Sequence, residues 1–118
     1  MWFRKLLGGG NGMSPTEAQE LVAAGGLLLD VREKGEWNAG HVKGARHLPL
    51  GEVARKMATL PRDRQIVCVC RSGARSARAT KILQAAGYNA VNLDGGMQAW
   101  KAAGLPIEAS GGSHGVVA

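Results

Sequence analysis

Short apolar runs alternate along this chain with stretches of helical periodicity. Ser14-Pro15-Thr16-Glu17 has the form of a capping box with proline at the first helical position. It predicts a helix with Ala18, Leu21 and Val22 on the buried face, ending at Gly25-Gly26. Residues 27–31 are a continuous apolar run broken by Asp30, which reads as a buried strand. Residues 33–38 predict a short helix ending near Gly40, and residues 45–48 a short strand stopped by Pro49. Val53, Met57 and Leu60 recur at helical spacing over residues 52–60, and Pro61 stops that helix. Ile66-Val67-Cys68-Val69 is short, β-branched and apolar, the pattern of a central strand. Residues 74–86 predict the longest helix, with Ala77, Ile82, Leu83 and Ala86 inward and Gly87 as its stop. Residues 90–93 predict a further strand and residues 97–103 a last helix. Strands alternating with helices predict an α/β fold with a mainly parallel sheet. In such sheets ligands bind beyond the carboxyl ends of the strands.

The 118 residues suffice for one domain. With 45% hydrophobic and 20% charged residues, the composition excludes a disordered chain, a coiled coil and a collagen-like repeat. No apolar run approaches the ~20 residues of a membrane span. Eighteen glycines, spread along the chain, suit many short elements joined by tight turns. The domain is expected over residues 13–108. Residues 1–12, MWFRKLLGGGNG, are expected to be an N-terminal tail too short to anchor in a membrane. The Gly/Ser-rich residues 109–118 are expected to be a flexible C-terminal tail.

A net charge of +6 raises the question of anionic partners. Trp2 and Phe3 sit in the tail among only five aromatics, so the stacking platform of a single-strand binder is missing. No nucleic-acid partner is expected. Two cysteines make no disulfide scaffold, which points to a reducing, cytoplasmic setting.

One segment carries candidate chemistry. The central strand runs directly into Cys70-Arg71-Ser72-Gly73-Ala74-Arg75, and a helix follows at once. Small residues there let several backbone N–H groups curl around the sulfur at a helix N-terminus. Such a site favours the thiolate and makes Cys70 a candidate nucleophile. Cations are disfavoured at a helix N-terminus, so Arg71, Arg75 and Arg78 there make sense if an anion lies between them. The loop between Cys70 and Arg75 is one residue shorter than that of cysteine-dependent phosphatases. It makes a tighter cradle, suited to one extra sulfur on Cys70 rather than to a tetrahedral phosphate.

The chain at this point resembles the single-domain rhodanese family. Leu28-Leu29-Asp30-Val31-Arg32-Glu33-Lys34-Gly35-Glu36-Trp37 followed by Gly40-His41-Val42-Lys43-Gly44-Ala45 resembles the family's first signature. Residues 70–75 look like its active-site loop, and Leu93-Asp94-Gly95-Gly96-Met97-Gln98-Ala99-Trp100 resembles its last signature. The resemblance implies a mainly parallel five-stranded sheet flanked by helices on both faces. It implies a thiosulfate sulfurtransferase with Cys70 as persulfide carrier and residues 71–75 holding the substrate sulfur. The donor would be a small sulfur anion such as thiosulfate, the acceptor cyanide, a thiol or a protein, with no metal or organic cofactor. Arg71 would dock the donor. Arg75 would brace the loop against a carboxylate, with Asp30 and Glu36 as candidates. Asp30, a carboxylate in an apolar strand, needs a partner and reads as part of a structural network with Arg32 or a loop arginine, to which Glu36 also belongs. One alternative is a persulfide carrier for a protein partner with little small-molecule turnover. Another is a phosphatase or arsenate reductase on this fold, which the short loop disfavours.

The remaining tempting residues read as structural. His41 belongs to a turn, and His47 and His114 have no ligand set around them. Cys68 and Cys70 alone do not make a zinc site. Cys68 is assigned to strand packing, with resolution of an oxidised Cys70 as the functional variant, and Trp37 and Trp100 are assigned to the core.

Overall fold

The computed structural model describes residues 12–118. The residues at its centre are the two most apolar strands, β2 (Leu27–Asp30) and β4 (Ile66–Val69). They pair in parallel from Leu27 opposite Ile66 to Asp30 opposite Val69. β5 (Ala90–Leu93) pairs with the other side of β4, and β3 (Arg46–His47) with the outer side of β2. A two-residue strand at the outer edge, β1 (Gly12–Met13), completes five parallel strands in the order β1-β5-β4-β2-β3.

Period-two alternation sends the strand side chains to two layers. Leu27, Leu29, Ile66 and Cys68 face one, under α3 (Leu50–Lys56) and α4 (Ala74–Ala85). Leu28, Val67, Val69, Val91 and Leu93 face the other, under α1 (Pro15–Ala23) and α5 (Gly96–Ala102). A sheet covered on both faces needs largely apolar strands, as β4 is throughout and β2 is up to Asp30. The capping box of α1 forms as the sequence predicts: Glu17 N–H donates to Ser14 Oγ and Ser14 N–H to Glu17 Oε1. α2 (Lys34–Ala39) buries no residue and lies beyond the carboxyl end of β2.

The strand order places the site. From β2 the chain adds β3 on one side, then returns to add β4 and β5 on the other. The carboxyl ends of β2 and β4 thus flank the point where the winding reverses, the usual ligand crevice of such sheets.

Four features differ from the expectations. β1 had no strand signal, because two residues pairing along an edge leave no periodicity to read. The buried face of α4 is Ser76, Ala79, Thr80 and Leu83, rotated from the apolar face expected; Ile82 and Ala86 are only partly buried. The chain leaving β4 sets the phase of this helix and aims Ser76 inward. Trp37 is half-buried rather than core, and Trp100 is core at 2% exposure. Residues 109–118, expected as a flexible tail, are laid along the domain. Positive φ at Gly111 and Gly112 turns the chain back, Val116 N–H donates to the Ala39 carbonyl at 2.9 Å, and Val117 packs on the second layer. The segment read as an aromatic and basic tail lies, but for Gly12, outside the described residues.

Candidate active site

Cys70 is the first residue beyond β4, and its side chain is 1% exposed. Three residues later the chain enters α4 through Gly73, whose φ of 118° only glycine adopts without strain. That turn aims the Gly73 N–H at Cys70 Sγ, 3.1 Å away. Ser76, in the first turn of α4, donates its hydroxyl to the same sulfur at 3.3 Å. Burial pushes the Cys70 thiol up. The Ser76 hydroxyl and the backbone N–H groups of Ser76, Gly73 and Ser72 outweigh it, and the net displacement is downward. A buried sulfur ringed by donors at the start of a twelve-residue helix is a thiolate cradle.

The back of the loop is held by α5. Met97 N–H donates to the Cys70 carbonyl at 2.8 Å, and Gln98 N–H to the Arg71 carbonyl at 3.0 Å. The first helical N–H groups, which have no partner within their own helix, are thereby satisfied. This docking requires Gly96: its φ is 59°, and a Cβ there would overlap the Cys70 and Arg71 carbonyls.

Arg75 reaches across from α4 to α2. Its Nη1 and Nη2 donate to Glu36 Oε1 and Oε2 at 2.7 and 2.8 Å, a bidentate pair. Arg75 holds the Glu36 carboxyl down at about 2, against burial, with help from the Glu33 N–H. Glu36 in turn holds the Arg75 guanidinium up. Asp30 does not join this pair. It binds Arg32, with Nε at 2.9 Å and Nη2 at 2.7 Å, and Arg32 also donates to the Gly40 carbonyl at 2.7 Å. Both residues are buried, at 1% and 0% exposure, so the two carboxylates expected in one network serve two arginines separately. Arg71, Ser72 and Ala74 are exposed at the loop's outer face, and Arg71 Nε donates to the Ala118 carbonyl at 3.0 Å. Arg78 points to solvent. Cys68 lies inside the first layer, where burial pushes its thiol up to about 11.

The rhodanese-like domain model matches residues 14–103, nearly the whole of the described chain. The chain belongs to the rhodanese family. It is 44% identical to a sulfurtransferase of Allochromatium vinosum over 73% of its length and 81% of that protein's. It is 32% identical to the thiosulfate sulfurtransferase GlpE of Ectopseudomonas mendocina, over 86% of this chain and 94% of that one. A crystal structure of a rhodanese-related protein from Thermoplasma volcanium superposes with a TM-score of 0.78 at 32% identity, covering 83% of this chain and 97% of that chain. Both curated relatives are sulfurtransferases, and membership of the rhodanese family supports sulfur transfer as the chemistry of this chain.

Two parts of this rhodanese site were not singled out from the sequence. Ser76 stands in a helix as an ordinary polar residue, and only its phase shows that it faces the sulfur. Gly96 is legible in the family's last signature, yet its contact with the Cys70 carbonyl is a matter of packing. The histidines do other work. His41 Nδ1 donates to the Trp37 carbonyl and His47 Nε2 to the Arg32 carbonyl, both at 2.7 Å, since a carbonyl only accepts. Both rings stack on Trp37, at centroid distances of 3.7 and 4.9 Å. Among the described residues no three His, Cys, Asp or Glu side chains gather as a metal site would require, and no helix is long and apolar enough to cross a membrane.

Proposed function

We propose that this rhodanese is a thiosulfate-type sulfurtransferase that carries the sulfur as a persulfide on Cys70. The observation that carries the reading is the Cys70 sulfur, buried and facing the Gly73 N–H and the Ser76 hydroxyl. The Cys70 thiolate attacks the outer sulfur of thiosulfate. The S–S bond of the donor breaks, and sulfite leaves with the electron pair. A new S–S bond joins the transferred sulfur to Cys70, and the loop amides of residues 71–75 surround it. An acceptor, cyanide or the thiolate of a small molecule or protein, then attacks the outer sulfur and returns Cys70 to the thiolate. This cycle needs no metal or organic cofactor.

Arg71, exposed at the mouth of the loop, is the residue assigned to dock the dianionic donor. Arg75 is a loop brace, its fork occupied by Glu36. An arginine so neutralised is poorly placed to clamp a phosphate, which favours sulfur over phosphoryl chemistry for the loop. A reducing compartment such as the cytoplasm is the setting in which a thiolate of this kind stays free. The test is thiocyanate formation from thiosulfate and cyanide. The account expects parallel double-reciprocal lines, the mark of a ping-pong cycle, and no turnover in Cys70→Ser. Full turnover in Cys70→Ser would overturn it. Negligible turnover in a wild type that still forms the persulfide would move the assignment to a carrier serving a protein acceptor.

A further inference from the structure

Asn92 is an odd residue for its place. It lies in β5 between Val91 and Leu93, in a strand packed by core layers on both faces. Asparagine is disfavoured in strands. Its Oδ1 is buried and, among the described residues, has no hydrogen-bond partner, a cost that a packed strand does not ordinarily carry. One bond is gained in return: Nδ2 donates to the Gly73 carbonyl at 3.1 Å. Because a carbonyl only accepts, the amide is oriented with its NH2 toward the loop.

That carbonyl is contested. Ala77 N–H donates to it at 3.0 Å as the first turn of α4 closes. Asn92 donates to it from the sheet. Ser76 Oγ also lies within reach, at 3.3 Å. A carbonyl oxygen offers two lone pairs, and Ala77 and Asn92 fill them. Ser76 has a single hydroxyl proton and a second acceptor at the same 3.3 Å, Cys70 Sγ. The occupancy of the Gly73 carbonyl therefore decides where the proton goes.

We propose that Asn92 is a positioning residue of the sulfur cradle: by filling the Gly73 carbonyl it turns the Ser76 hydroxyl onto Cys70 Sγ. The inference rests on the reading of Cys70 as the sulfur-bearing thiolate. Asn92 touches neither the sulfur nor a substrate. Without it the hydroxyl returns to the Gly73 carbonyl, the local back-bond that serines in a first helical turn readily make. The thiolate then loses a donor although Ser76 is still present.

The test is the pH dependence of iodoacetamide alkylation at Cys70, read by peptide mass in a Cys68→Ala background. Asn92→Leu replaces the amide by an apolar group of similar size and removes the orphaned acceptor, so its thermal midpoint is expected at or near that of the parent. The charged groups around the cradle, Arg71 at its mouth and Arg75 with Glu36 and Glu33, are the same in every variant. The alkylation midpoint should rise by about 1 unit in Asn92→Leu, about tenfold less thiolate below the midpoint. Ser76→Ala should show a similar rise, and the double variant no more than Ser76→Ala alone. An unchanged midpoint in Asn92→Leu, or additive effects in the double variant, would overturn the proposal. Asn92→Val supplies the same test if leucine does not fit, and loss of the fold in both would make Asn92 a folding residue and overturn it too. Alkylation reads the thiolate without sulfur transfer. An unchanged midpoint thus sinks this inference alone, whereas failure of the wild type to take up sulfur sinks the persulfide reading alone.

Discussion

Replacing Glu36 by glutamine tests how the loop is braced. The substitution keeps the shape of the side chain and removes the charge that Arg75 grips through two bonds of 2.7 and 2.8 Å. In the folded protein the Glu36 carboxyl titrates at about 2, held there mainly by Arg75; in the unfolded chain it returns to the ordinary 4.5. A carboxyl lowered by folding stabilises the fold fully above its unfolded value, and that contribution disappears as the pH falls through the folded value. Taken at face value the difference would be worth about 3 kcal/mol. Arg75 is 35% exposed, so water screens the pair, and about 1 to 2 kcal/mol is the contribution expected near neutrality. Urea unfolding of wild type and Glu36→Gln, at neutral pH and again well below the folded value of about 2, measures it. The wild type should be the more stable by that amount at neutrality, and the two should converge in acid, where the glutamic acid is as neutral as the amide. Equal stability at neutrality, or a gap that does not change with pH, would refute the reasoning.

Other substitutions probe the remaining supports. Ser76→Ala removes one of the donors to Cys70 Sγ and should raise the alkylation midpoint of Cys70 by about 1 unit, with little change in thermal stability. Gly96→Ala forces a side chain onto the Cys70 and Arg71 carbonyls at a positive φ. It should cost on the order of 2 kcal/mol or more and lower persulfide yield; an unchanged melting temperature would show that α5 is not docked on the loop as described. Asp30→Ala leaves the Arg32 guanidinium buried without its carboxylate, for which a loss of about 3–5 kcal/mol is expected in the unfolding free energy.

What the sequence disclosed was the chemistry that depends on neighbours along the chain. Cys70 sits between a β-branched strand and a helix, and that local arrangement alone predicts a sulfur facing backbone N–H groups. The capping box of α1 and the apolar run of β2 are legible for the same reason. The pairing of carboxylates with arginines was legible only as alternatives, with Arg32 or a loop arginine open for Asp30. Asp30 and Glu36 were both candidates for Arg75, and the choice depends on where α2 packs. Asp30 folds back onto Arg32 two residues away, leaving Glu36 on the face of α2 that meets α4. Ser76 was hidden because apolar periodicity sees only apolar residues, and its inward phase is set by the turn at Gly73. Trp37 read as core by its size, yet its ring is stacked on His41 and His47 at the surface of the fold. Glycine and serine at residues 110–113 suggested a loose end. The glycines instead make a turn that lets the last residues lie on Ala39, where Gly40 leaves no room for a side chain.

The central claim is that Cys70 bears the sulfur in transit. The most direct measurement is the intact mass of the protein before and after thiosulfate, each with and without a thiol reductant, for wild type and Cys70→Ser. The account predicts a gain of one sulfur atom in the wild type, removed by the reductant and absent in Cys70→Ser. The reductant separates this product from a sulfinic acid, which adds nearly the same mass and is not reversed by thiols. A wild type that gains no sulfur, or a Cys70→Ser variant that still gains it, would contradict the account.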